Sequence, residues 1–157
     1  MPARKNKINV GWREWVALPE LGVESIKAKV DTGARSSALH AFGMQRFTRG
    51  GESWIRFRVH PMQRSTRGEV ISEARVIDER RVKSSSGAVT LRPVVETPLL
   101  WFGETRMIEL SLTRRDAMGF RLLLGREALR GRCLVDPGRS YLGGKVTNSK
   151  SKVEKSI

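Results

Sequence analysis

The sequence has little of what many protein classes need. Cys133 is the only cysteine, so no internal disulfide can form. The two histidines, His40 and His60, stand apart, and no His-Glu-x-x-His spacing occurs. That ligand count does not support zinc, and no metal or cofactor is expected. No Gly-x-x-x-x-Gly-Lys-Ser/Thr run is present, which removes the phosphate-cradling loop of P-loop nucleotide binders. No apolar stretch approaches the ~20 residues of a membrane span. The opening MPARKNKINV is basic but lacks the apolar stretch of a secretory signal. These absences are compatible with a reducing cytoplasm and with no membrane partner. Acidic residues are also scarce, 16 against 30 Lys and Arg, for a net charge of +14.

What remains suits one domain. A chain of 157 residues can bury about 70% of its unfolded surface. With 39% hydrophobic residues, wholesale disorder is not expected. Residues 1–8 read as a loose polar tail, 9–142 as the folded domain and 143–157 as a second polar tail. The basic residues recur in small groups: Arg56/Arg58, Arg64/Arg67, Arg80/Arg81/Lys83, Arg114/Arg115 and Arg130/Arg132. That spacing fits the solvent faces of strands and turns. The surplus charge attracts polyanions of any kind.

The punctuation is that of an all-β chain, with short alternating runs between Gly, Pro and Ser. Strands are expected over 12–18, 25–30, 54–59, 68–77, 89–95, 107–112 and 120–125. Ile55, Phe57 and Val59 alternate with Arg56 and Arg58, a period of two. Residues 83–87, Lys-Ser-Ser-Ser-Gly, form a polar hairpin tip. Residues 126–130 can make about one helical turn. A last short strand over 133–135 is expected to stop at Asp136-Pro137-Gly138. The tryptophans Trp12, Trp15, Trp54 and Trp101 read as core or interface. Cys133 reads as a small core residue and His40 as a buried hydrogen-bonding residue.

One short motif carries chemistry. Asp31-Thr32-Gly33 follows an apolar strand directly, and small residues come next: Ala34, Ser36, Ser37, Ala38. Alone, the tripeptide is a weak signal, since an Asp opening a turn has the same form. Its context resembles the retropepsin-like aspartic peptidases, the viral-protease type of half-barrel. Three features carry the resemblance in the right order: Val30-Asp31-Thr32-Gly33-Ala34 after a hairpin, the flap-like hairpin from Arg81 to Val94, and Leu123-Leu124-Gly125-Arg126-Glu127-Ala128-Leu129. The run from Val30 to Ala41, with Leu124-Gly125-Arg126 and Val135-Asp136-Pro137, is more similar still to a bacterial group within that fold. This group has long been labelled ATP-dependent zinc proteases and is often encoded near ATP-grasp glutamate ligases. The likeness covers roughly residues 9–142.

The resemblance implies a closed all-β, retropepsin-like barrel with one short helix near the C-terminus, and Asp31 as catalytic carboxylate. It also implies that Thr32 hydrogen-bonds across the site and that Gly33 and Ala34 receive the substrate backbone. Ser84, Ser85, Ser86 and Gly87 would fold over the peptide as a lid. Such an enzyme activates water between two carboxylates about 3 Å apart, which share one proton. This chain has one Asp-Thr-Gly, and Asp136-Pro137-Gly138 lacks the hydroxyl of a second. The partner carboxylate is therefore expected from Asp31 of another copy, in a symmetric homodimer.

Two departures bear on substrate. Arg35 stands where viral relatives carry an acidic residue, so the usual ion pair is lost for Arg126. Arg35 is left to meet Glu127 or a substrate carboxylate. The flap tip is Ser-rich where viral relatives are Gly-rich. With the +14 charge, Arg35 favours an acidic peptide or protein substrate, glutamate-rich or glutamylated. Two other readings keep the barrel. One is a non-catalytic module that docks extended peptides. The other, less favoured, is a basic, aromatic-bearing barrel that binds single-stranded nucleic acid.

Overall fold

A computed structural model describes residues 6–62, 67–83, 86–114 and 119–145. Alternation dictates its strands. In Glu52–Val59, Ile55, Phe57 and Val59 are buried while Arg56 and Arg58 face solvent. The elements run β1 (Ile8–Leu18), a 3-10 turn (Pro19–Leu21), β2 (Val23–Val30), β3 (Ser37–His40), β4 (Phe42–Arg49) and β5 (Glu52–Val59). They continue with β6 (Val70–Lys83), β7 (Val89–Trp101), β8 (Glu104–Thr113), β9 (Leu122–Leu124), α1 (Arg126–Leu129) and β10 (Cys133–Ser140).

The strands lie side by side in the order β10-β1-β2-β9-β3-β8-β7-β6-β5-β4. Ala17 of β1 also pairs with Leu100 of β7, which closes β1, β2, β9, β3, β8 and β7 into a ring. Outside the ring, β10 extends the sheet beyond β1, and β6, β5 and β4 extend it beyond β7. Leu39, Leu110, Leu112, Leu122, Leu124, Phe57 and Trp101 are buried almost completely in one core. Each such side chain contributes about 1.5–3 kcal/mol by leaving water. The architecture is all-β with a single short helix, as the resemblance implied.

Several details differ from the sequence expectation. Residues 37–49 hold β3 and β4, for which no strand is expected. β4 is mostly exposed, so it shows no apolar alternation to read. β7 runs past Val95 to Trp101, with Pro98 opposite Met107. Asp136-Pro137-Gly138 does not end the last strand, and β10 continues to Ser140. A register shift between Gly11 and Arg13 absorbs the irregularity. There the two backbones approach so closely that a Cβ on Gly11 would lie 2.2 Å from the Arg139 carbonyl oxygen. Arg132 is not on the solvent face; it is buried.

Glu14 is fully buried, and among the described residues no ion pair reaches it. Instead its carboxylate accepts three backbone N–H groups, from Gly11 at 2.7 Å, Leu142 at 2.9 Å and Gly143 at 3.1 Å. These bonds tie the segment after β10 to β1. Removing the carboxylate strands three donors, so Glu14→Ala should lower stability by about 3–5 kcal/mol. Urea denaturation would measure it, and a loss below ~1 kcal/mol would mean water replaces the clamp.

Candidate functional site

The site begins with an unusual strand order. β2 and β3 are consecutive in sequence, yet β9 lies between them, parallel to β2 and antiparallel to β3. The connection 31–36 must therefore cross the end of β9. Val30 pairs with Leu124, and the Asp31 N–H donates to the Leu124 carbonyl at 2.9 Å. Asp31 thus stands where β2 leaves the sheet, half-buried at the mouth of the ring.

The loop is held from below by the residues that follow β9. A Cβ on Gly125 would lie 2.4 Å from the Ser36 carbonyl oxygen, so no larger residue fits under the loop. The Gly125 N–H donates to Ser37 Oγ at 3.1 Å. The Arg126 and Glu127 N–H groups donate to the carbonyls of Ala34 (2.8 Å) and Arg35 (3.0 Å). Arg126 Nη1 also donates to the Thr32 carbonyl at 3.0 Å. The first turn of α1 is in effect a bracket for the loop.

Within the loop, Asp31 Oδ1 accepts the Gly33 N–H at 2.9 Å, and the Ala34 N–H donates to the Asp31 carbonyl at 3.2 Å. A Cβ on Gly33 would come to 3.2 Å from that same Oδ1. Among the described residues no ion pair reaches Asp31, so no cation neutralises it. Thr32, Gly33 and Arg35 are exposed. Arg35 does meet Glu127, but only at 4.0 Å, with 81% of its side chain exposed. Asp136 makes the same local bond, to the Gly138 N–H at 2.9 Å, but does so inside β10 opposite Gly11 and not on a ring-mouth loop.

Asp31, Thr32, Gly33, Ala34 and Arg35 are thus gathered on one loop against α1. Ser86 and Gly87 are exposed at the tip of the β6–β7 hairpin, while Ser84 and Ser85 lie outside the described residues. Sequence reading missed the roles of Ser37 and Arg126, since a hydroxyl bond to a glycine 88 positions later leaves no local signal. The His40 ring is buried, edge-on to Phe42 at 4.4 Å, and the His40 backbone N–H donates to the Arg121 carbonyl. Cys133 is partly buried against the core, and burial pushes its thiol up from the usual value.

Comparison with known proteins agrees with this geometry. Residues 9–146 match a family model described as RimB-like, retropepsin-like aspartic endopeptidase RimB. Curated relatives include proteins named probable alpha-L-glutamate ligase. The one from Shewanella halifaxensis is 46% identical over 88% of this chain, and that from Desulfotalea psychrophila is likewise 46% identical over 88%. The chain spans only 30% of the length of either ligase. Among solved structures, a Legionella pneumophila protein of unknown function superposes with a TM-score of 0.73 at 28% identity. That match covers 88% of this chain and 99% of the other.

The bracket gives a direct test. Gly125→Ala forces a methyl group into the Ser36 backbone, so it should destabilise by about 2–3 kcal/mol. Thermal melting would read this, and a variant melting with wild type would show that the loop is not held from beneath.

Proposed function

The chain belongs to the RimB-like family of retropepsin-like aspartic endopeptidases, and from that membership we propose that it hydrolyses peptide bonds with Asp31. The observation that carries the reading is the setting of that carboxylate. It is half-buried at a strand end, fixed by one backbone N–H and unpaired with any cation among the described residues.

One carboxylate is not enough for the reaction. In a two-fold dimer, two Asp31 side chains meet and share a single proton, because neighbouring carboxylates cannot both ionise cheaply. The ionised Asp31 takes a proton from water as its oxygen bonds to the peptide carbonyl carbon. The protonated Asp31 donates toward the carbonyl oxygen as charge builds there. The C–N bond then breaks, and the amine leaves with a proton returned from the dyad. The exposed Gly33 and the half-buried Ala34 offer backbone to an extended peptide, and the β6–β7 hairpin closes over it.

The substrate class we propose is an acidic, glutamate-rich or glutamylated peptide. Arg35 supports it, being exposed and only loosely engaged by Glu127. The +14 charge steers acidic chains in the same direction. The ligase name of the longer relatives fits this reading, since a glutamate ligase makes acidic products.

A nucleic-acid reading keeps one supporting observation. Arg13 lies over Trp12 and Tyr141 at 4.6 and 5.0 Å, and Lys27 and Lys145 lie over Trp15 at 5.2 and 5.1 Å. Interleaved cations and rings are what single-stranded binders use.

Incubating wild type and Asp31→Asn with acidic and neutral peptides separates the readings. Asp31→Asn should lose at least ~1,000-fold in cleavage while keeping its fold. Cleavage by wild type should rise more steeply than linearly with protein concentration where the dimer dissociates. Arg35→Ala should cost about 10-fold on acidic peptides and little on neutral ones. Equal cleavage by wild type and Asp31→Asn would remove the dyad. Peptide binding without cleavage would favour a docking module.

A further inference from the structure

Arg132 departs from the surface pattern of the other basic residues, as Arg121 also does. It follows α1 and is only 9% exposed. Its backbone is fixed: its N–H donates to the Leu129 carbonyl at 3.0 Å, and its carbonyl accepts from Ile8 at 2.9 Å. Its guanidinium is poorly served. Nη2 reaches the carbonyls of Trp101 and Glu104, both at a long 3.4 Å. Nη1 is buried and has no hydrogen-bond partner. A buried charged donor left unmet is costly.

Its neighbour adds to the imbalance. Arg106 sits two residues before Ile108 on β8, on the strand parity that faces the ring interior, but at the exposed rim. Among the described residues no ion pair reaches Arg106. Burial first, and then Arg106, hold the Arg132 guanidinium below its ordinary value, and the opposing influence of Glu104 is weaker. The two arginines, with Asn6, Thr105, Glu104 and Gly131, line a pocket of about 220 Å³. It lies between the start of β1 and the β7–β8 turn. The lining thus carries two arginines, a threonine and an asparagine against one glutamate, with Ile8 as its apolar member.

We propose that this pocket is an oxyanion site that takes a phosphate group, either bare phosphate or the terminal group of a phosphomonoester. Phosphate carries close to two negative charges and accepts paired hydrogen bonds from guanidinium forks. Its negative charge would relieve the repulsion between Arg106 and Arg132 at the pocket they both line. Gly131 and Arg132 join α1 to β10, and α1 brackets the Asp31 loop, so occupancy braces the junction behind that loop. The binding itself is independent of the proposed hydrolysis.

Thermal melting of the full chain in phosphate and in chloride, at matched ionic strength and pH, tests the site. Wild type should melt about 3–5 °C higher at saturating phosphate, with saturable dependence. Arg106→Ala removes an exposed side chain and should fold. It should bind phosphate at least ~10-fold more weakly in calorimetric titration. Asp31→Asn should bind as wild type does. Titration with AMP, with adenosine as control, identifies the source. Binding of AMP but not adenosine assigns a phosphomonoester, and binding of phosphate alone assigns the free ion. A non-saturating shift, no shift, or equal phosphate affinity in wild type and Arg106→Ala would overturn the proposal.

Discussion

Strand β9 is threaded between two strands that are neighbours in sequence, and the loop joining those two must pass over its end. The geometry of the candidate site follows from this crossing. It brings Gly125 under Ser36, puts the Asp31 N–H on the Leu124 carbonyl, and sets the first turn of α1 beneath Ala34 and Arg35. Arg126 reaches the Thr32 carbonyl across 94 positions of sequence. The carboxylate is therefore placed by the last third of the chain as much as by its own strand.

Polar groups buried near the start of β1 divide into two kinds. Glu14 is a charge whose three acceptor bonds are all made by backbone N–H groups, and it anchors the segment after β10. Arg132 is a charge with long, incomplete bonds and a second arginine nearby. The first needs nothing more. The second is the residue on which the proposed phosphate site rests.

The matched unit appears in proteins of different scale. It corresponds to 99% of the Legionella chain but 30% of the ligases. The ligase name thus describes proteins of which this unit is a minor part, whereas the peptidase family model spans nearly all of the present domain.

Alternation made the strands with one buried face legible: Ile55, Phe57 and Val59 could be read directly, as could the hairpin leading into Asp31. β4 could not, because an exposed strand carries no apolar period, and the continuation of β10 was hidden by Asp136-Pro137-Gly138, whose local form is that of a turn. The sequence by itself determined the composition of the loop, its single Asp-Thr-Gly and its reversed charge at Arg35, because those are properties of adjacent residues. Only the tertiary structure decided that Gly125 and Arg126 hold that loop and that Arg132 is buried beside Arg106. Those facts depend on which distant strands pair, and pairing is set by packing and register across the whole ring rather than by any local run of residues.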